Sequence, residues 1–318
     1  MRVLPTVGLL SATTQSNAYV QAFIARLAAL GWTDGSTMIL LAQYADGDRA
    51  TLQTMAEELV SKDVHVIMAG STPAIRAAQT ALGNAGKDIP IVMGITGDPR
   101  VAAGMRDLEQ PQENVTGVWD HIPIQQETQL QILQDIVGGA RLNVGVLFNG
   151  DNPGKQLDLT TLQQTRLSGA TLDVREYPVA QDLATVESRV ADAFARAKGP
   201  DGRDAMIVFG DPLLGLPKVA QRIRDAGTTQ QLRTMFGASE AAEHGGLMAY
   251  GPSHRAVMQR AADFVDRILH GTPIRDLPVV QPGAAELEFV VNKAMEAKPG
   301  LGFLNKPGFQ SKWNPRIV

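Results

Sequence analysis

Short apolar runs alternate with longer amphipathic stretches along most of this chain. Residues 3–10, 38–44, 64–69, 89–94 and 115–119 are apolar, in good part β-branched, and do not alternate with polar positions, which is the pattern of strands buried on both faces. Between them, 17–30, 52–60 and 73–81 predict helices. In the first, Val20, Phe23, Ile24, Leu27 and Leu30 recur at helical spacing, and Gly31 follows the last turn. In the third, Ser71 or Thr72 suits the N-cap and Pro73 the first helical position.

The rhythm restarts after Asp120. Helices are expected at 125–136, 157–167, 183–197 and 216–225, and strands at 143–148, 171–176, 205–209, 232–236 and 247–250. A further amphipathic helix covers 256–269, followed by a Pro-rich strip at 272–282. The tail from Pro299 reads as irregular chain on the surface. Strands separated by helices of this length form right-handed β-α-β units, so the expected fold class is α/β with doubly wound parallel sheets. The series occurs twice, which predicts two related lobes. The helix at 256–269 comes after the second lobe is complete and is expected to return to the first.

One phrase recurs. Gly97-Asp98-Pro99 closes the run from Ile89, and Gly210-Asp211-Pro212 closes the run from Ala205. The Gly permits a sharp turn and the Pro stops the strand. An acid just past the carboxyl end of a parallel strand stands where open α/β sheets bind ligands. Two such edges point to a ligand held in a cleft between lobes.

Length and composition agree with this division. A chain of 318 residues exceeds one ordinary core, and a net charge of −4 gives no nucleic-acid footprint. No stretch approaches the roughly 18 apolar residues of a membrane span. Cysteine is absent, which weighs lightly toward an oxidising compartment. The opening Met1-Arg-Val-Leu-Pro leaves no room for a secretory signal, so the chain is either cytosolic or a mature form with its leader replaced.

The polar residues expected just beyond the strand ends are Ser11, Thr13, Ser71, Thr72, Thr96, Asp98 and Asp120 in the first series. The second offers Asn149, Asn152, Asp211, Ser239 and Glu240. Hydroxyls, amides and carboxylates beside Gly suit a polar small molecule, and helix amino ends present N–H groups to an anion. The same residue types cap helices and build turns whatever the function. For Ser71 and Thr72 capping and binding weigh equally; for Asp98 and Asp211 turn-building weighs more, and only the recurrence favours binding. Among the aromatics, Trp119 and Tyr250 suit a flat ligand, whereas Phe148, Phe209 and Phe236 are expected to plug cores.

Searches for enzyme chemistry mostly fail. His65, His121, His244, His254 and His270 show no metal-ligand spacing; only His121, beside Asp120, stands at a boundary. No Gly-x-Ser-x-Gly elbow or Gly-x-Gly-x-x-Gly turn occurs, and Gly83-Asn-Ala-Gly86-Lys87-Asp88 has the wrong spacing for a phosphate loop. Neither a cofactor nor a metal is expected. Paired cleft carboxylates keep a two-domain enzyme as the alternative.

Taken in order, several fragments resemble the periplasmic substrate-binding proteins of ABC importers that include tryptophan- and phenylalanine-binding members. They are Val7-Gly-Leu-Leu-Ser11, Phe23 through Leu30-Gly31-Trp32 to Gly35, Leu59 through Gly70-Ser71-Thr72-Pro-Ala, and Ile89-Pro-Ile-Val with Asp98-Pro99. Asn114-Val-Thr-Gly117-Val, Gly245-Gly-Leu-Met-Ala-Tyr250-Gly251 and Ile268 through Pro278-Val complete the set. The resemblance implies a type I binding-protein fold: two Rossmann-like lobes, 1–119 with 252–281 and 120–251 with 282–318, joined by a three-stranded hinge near 119–122, 250–253 and 280–287. It implies a monomeric, extracytoplasmic or periplasmic receptor that closes on a small molecule and hands it to an ABC permease, or a sensory receptor of the same fold. The family's Ser-Asp is Trp119-Asp120 here, its acid-and-amide loop is Asn149-Gly-Asp-Asn152-Pro-Gly, and its Thr-Asp-Asn is Gly210-Asp211-Pro212. The ligand identity therefore does not carry over. An amino acid or related metabolite, preferably aromatic, is expected, with Asp120 as the ammonium partner.

Overall fold

The computed structural model describes residues 3–111, 114–120 and 123–318. His121 and the second half of the first expected crossing, near 119–122, lie outside the described residues. Contacts divide the chain into two units. One comprises Met1–His121, Asn152–Gly154 and His254–Pro282; the other comprises Ile122–Asp151, Lys155–Ser253 and Gly283–Val318.

The first unit runs β1 (Thr6–Ser11), α1 (Ala18–Ala29), β2 (Ile39–Tyr44), α2 (Arg49–Ser61), β3 (Val66–Ala69), α3 (Thr72–Ala85), β4 (Ile91–Met93), α4 (Pro99–Ala102) and β5 (Val115–Gly117). The sheet order is β2-β1-β3-β4-β5, and every pairing is parallel. The apolar strands read as buried on both faces because each face meets a different helix layer. Val7, Leu9, Val66, Met68 and Val92 face one core, while Leu10, Ile67, Ala69, Ile91 and Met93 face the other. α2 and α3 fill the second core with Leu52, Ala56, Leu59, Ile75, Ala78 and Leu82.

The second unit runs α5 (Pro123–Val137), β6 (Arg141–Asn149), α6 (Pro153–Gln164), β7 (Thr171–Val179), α7 (Val186–Lys198), β8 (Ala205–Val208), α8 (Pro217–Thr229), β9 (Arg233–Phe236), α9 (Glu240–Glu243) and β10 (Met248–Pro252). Its parallel part is ordered β7-β6-β8-β9-β10, the same winding as the first unit.

After β10 comes α10 (His254–Leu269), which returns to the first unit as expected. Val257, Met258, Ala261 and Val265 close the core beneath Val7 and Leu9. Arg26 pairs with Asp263 at 2.7 Å, and the indole of Trp32, just past the end of α1, donates to Asp266 at 2.8 Å, tying α1 and the turn after it to α10.

Three expectations change. β11 (Leu287–Val291) pairs antiparallel with β10, so the second sheet is mixed and not wholly parallel. After α11 (Lys293–Glu296) the tail is not merely irregular: α12 (Phe309–Trp313) and β12 (Arg316–Ile317) form, and β12 adds an edge to β11. Leu301, Phe303 and Phe309 sit in the unit's core, because a Gly- and Pro-rich path still inserts its apolar residues. Finally, the two Gly-Asp-Pro phrases are not equivalent. β4 is the fourth strand of its sheet, whereas β8 stands third in the matching order.

Candidate functional site

The carboxyl edge of the first sheet gathers Tyr19, the adjacent Ser71 and Thr72, Thr96, Asp120 and His254 from segments remote in sequence. Ser71 caps α3, its Oγ accepting from Ala74 N–H at 3.4 Å. Thr72, in the first turn, shares a 2.9 Å hydrogen bond between hydroxyls with Thr96 beyond β4, and both are buried. Ile95 carries the chain to Thr96 with φ of +45°, a left-handed conformation that a β-branched residue adopts only under constraint. The Thr96 carbonyl in turn accepts the Asp120 N–H at 3.1 Å. Beyond β5, the Asp120 carboxylate accepts from His254 Nε2 at 2.8 Å, and the Tyr19 ring meets the His254 ring edge-on at 5.0 Å.

Other predicted residues of this edge have local roles. Ser11 and Thr13 bond through their hydroxyls at 2.9 Å. Asp98 caps α4 by accepting from Arg100 N–H at 2.8 Å, and pairs with the Arg100 guanidinium at 3.2 Å. Trp119 packs half-buried against the α2–α3 core. Asn152 Oδ1 accepts from Gly154 N–H at 3.1 Å, at the start of α6.

The carboxyl edge of the second sheet gathers another set. Asn149, at the end of β6, donates from Nδ2 to Asp211 Oδ1 at 3.1 Å and to Gln181 Oε1 at 2.7 Å. Asp211 also accepts from Leu213 N–H at 2.8 Å, the turn-building role weighed above. Glu240, buried at the start of α9, accepts from the Ser253 hydroxyl at 2.6 Å and makes a long 3.5 Å contact with Ser239. Tyr250 packs half-buried on the core, while Gln125 and Gln129 donate to its carbonyl at 3.0 and 2.8 Å. Phe148 and Phe209 are core residues as expected, and Phe236 packs half-buried against the α7–α8 core.

Sequence reasoning missed His254, Tyr19, Gln181 and Ser253 as edge residues. His254 shows no metal-ligand spacing, and the helix expected at 256–269 begins two residues after it, whereas α10 starts at His254 itself. No local signal marked Gln181, which comes to Asn149 only through the β6–β7 pairing. Chemically, the first edge offers an anion-accepting helix end beside a carboxylate, and the second offers two buried carboxylates among amides and hydroxyls. Among the described residues, no group of three or more His, Asp or Glu stands ready to hold a metal, and no helix is long and apolar enough to cross a membrane.

Two doubly wound units of the same winding order, with polar residues at their carboxyl edges, have the type I periplasmic binding-protein fold. The chain belongs to the ABC transporter substrate binding protein family, whose model matches residues 12–302. It is 26% identical over 273 residues to a tyrosine-binding protein of Clostridioides difficile, covering 85% of this chain and 73% of that one. A conserved domain protein of Vibrio cholerae has the same fold, with a TM-score of 0.83 at 22% identity over 99% of this chain and 100% of that one. So does an ABC domain from Streptococcus pneumoniae solved with L-Trp, with a TM-score of 0.78 at 20% identity over 98% and 100%. By their descriptions, the family and the tyrosine-binding relative are binding proteins.

Proposed function

We propose that this chain is the extracytoplasmic, periplasmic solute receptor of an ABC importer, a monomer that carries an amino acid or related small metabolite, preferably aromatic, to a membrane permease. The observation that carries the ligand class is the juxtaposition at the first unit's edge. The Asp120 carboxylate is held through its backbone to Thr96, and Thr96 is held to Thr72 at the amino end of α3. A carboxylate suits an ammonium group, and a helix amino end with hydroxyls suits a carboxylate. A zwitterion satisfies both, and burying either charge unpaired is costly. The tyrosine-binding relative and the neighbour solved with L-Trp favour the aromatic members of this class.

In this reading Ser11, Thr13, Ser71, Thr72, Thr96, Asp98, Trp119, Asp120 and Asn152 contribute from the first unit, and Asn149, Asp211, Ser239, Glu240 and Tyr250 from the second. The lobes close on the ligand by hinge rotation. A thermal-shift screen with calorimetry tests the ligand class, using L-tyrosine, L-tryptophan, L-phenylalanine, sugars, purines and organic acids. A ligand at one thousand times its dissociation constant stabilises by about 4 kcal/mol. A best ligand without a cationic nitrogen sinks the amino-acid reading. Conversion of the bound compound, abolished by Asp98→Asn or Asp211→Asn, sinks the receptor reading.

A further inference from the structure

We propose that His254 is a positioning residue for ligand recognition: it holds one oxygen of the Asp120 carboxylate so that the other is presented to the ligand's ammonium group. This inference rests on the amino-acid reading above. Asp120 follows the last strand of its sheet, and its backbone is fixed by the 3.1 Å bond to the Thr96 carbonyl. That bond leaves the side chain free to turn about its own torsions. The 2.8 Å contact from His254 Nε2 supplies the missing constraint. A carboxylate only accepts, so Nε2 carries the hydrogen in this contact whether the imidazole is neutral or cationic.

The imidazole is itself packed in place. Its side chain is 9% exposed against 16% for Asp120, so the contact is largely shielded from competing water. The Tyr19 ring meets it nearly perpendicular, at 88°. His254 opens the 16-residue helix α10, whose amino end favours an anion beside it. α10 is in turn anchored to α1 through Asp263 and to Trp32 in the turn after α1 through Asp266. The carboxylate is thus prepaid in orientation by elements that belong to the core of the first unit.

Calorimetry with L-tyrosine and L-tryptophan tests this on the full chain, using Asp120→Asn, His254→Phe, His254→Gln and the double variant Asp120→Asn/His254→Phe. His254→Phe keeps a ring for Tyr19 and removes the donor; His254→Gln restores a terminal N–H donor. We expect His254→Phe to weaken binding about tenfold or more, His254→Gln to recover most of that loss, and the double variant to bind no worse than Asp120→Asn alone. A purely structural role would instead add its loss to that of Asp120→Asn. Thermal unfolding of each variant confirms folding, and His254→Ala carries the same comparison if the Phe variant is unstable. Unchanged affinity in His254→Phe, or losses that add in the double variant, overturns the positioning role alone. If the parent protein binds neither amino acid, the amino-acid reading falls and this inference with it.

Discussion

At Gly117 the backbone passes through φ of +127°, and a Cβ there would overlap the Met93 carbonyl oxygen. The same oxygen accepts the Val118 N–H at 2.9 Å, so this close approach sets the direction in which Trp119 and Asp120 leave the sheet. Gly117→Ala is expected to destabilise the protein by roughly 1–3 kcal/mol from backbone strain alone, read by urea unfolding; a variant as stable as the parent contradicts this account. For Asp120 the cleaner substitution is Asn, whose carbonyl still accepts from His254. Asp120→Asn is expected to retain the parent's melting temperature within a degree or two while losing about 1.5–3 kcal/mol of affinity for an amino acid. Both Asp98 and Asp211 were legible as turn acids because the reason is local: each accepts a backbone N–H two residues on. That His254 meets Asp120 was not legible, since neither residue type nor spacing encodes a contact between chain segments so far apart.

Among the elements, α3 depends on a single side-chain cap. Ser71→Ala is expected to cost about 0.5–1 kcal/mol, toward the low end because the capping bond is long; chemical denaturation measures it. The tail offers a sharper contrast. Removing residues 315–318 takes away exposed β12, its pairing with β11 and the solvent-accessible Arg316 pairs with Glu243 and Glu288, and should cost little because no core side chain is lost. Removing everything after Pro299 strips Leu301, Phe303 and Phe309 from the core. At roughly 1.5–3 kcal/mol per buried side chain, that truncation should leave the second unit unfolded by circular dichroism. At the amino edge of the second sheet, Arg141 at 2.7 Å and Arg203 at 3.3 Å flank Asp173. The hydrogen bond from Arg141, and then the Arg203 charge, hold its carboxyl below the ordinary value of 3.8. Its folded pKa lies below its unfolded one, so the stability it confers is present above 3.8 and is lost as pH falls through the lower folded value. The stability gap between parent and Asp173→Asn should therefore narrow as pH falls below 3.8, and a gap that widens in acid refutes this. Strands and helices were legible almost throughout, because periodicity is a local signal. β11 was missed because it lies between a Pro-rich strip and a Gly-rich tail.

For the molecule as a whole, the two sheets share one winding order, and the polar residues collect where the parallel strands end. If each unit moves as a rigid body when ligand binds, amide exchange should slow at residues of both carboxyl edges. The central strands β1, β3, β6 and β8 should keep their protection unchanged; altered protection there contradicts rigid-body closure. The sequence by itself determined the alternation of strands and helices, the doubly buried parallel sheets and the presence of small polar residues beyond the strand ends. These follow from each residue's own hydrophobicity and from its neighbours within a few positions. The tertiary structure alone decided that Gly-Asp-Pro falls on the fourth strand of one sheet and the third of the other, despite the shared phrase. It also decided that the tail completes a core and that α10 brings His254 to Asp120. Such contacts depend on the path of the whole chain, and a side-chain hydrogen bond between remote segments leaves no trace in the pattern around either partner.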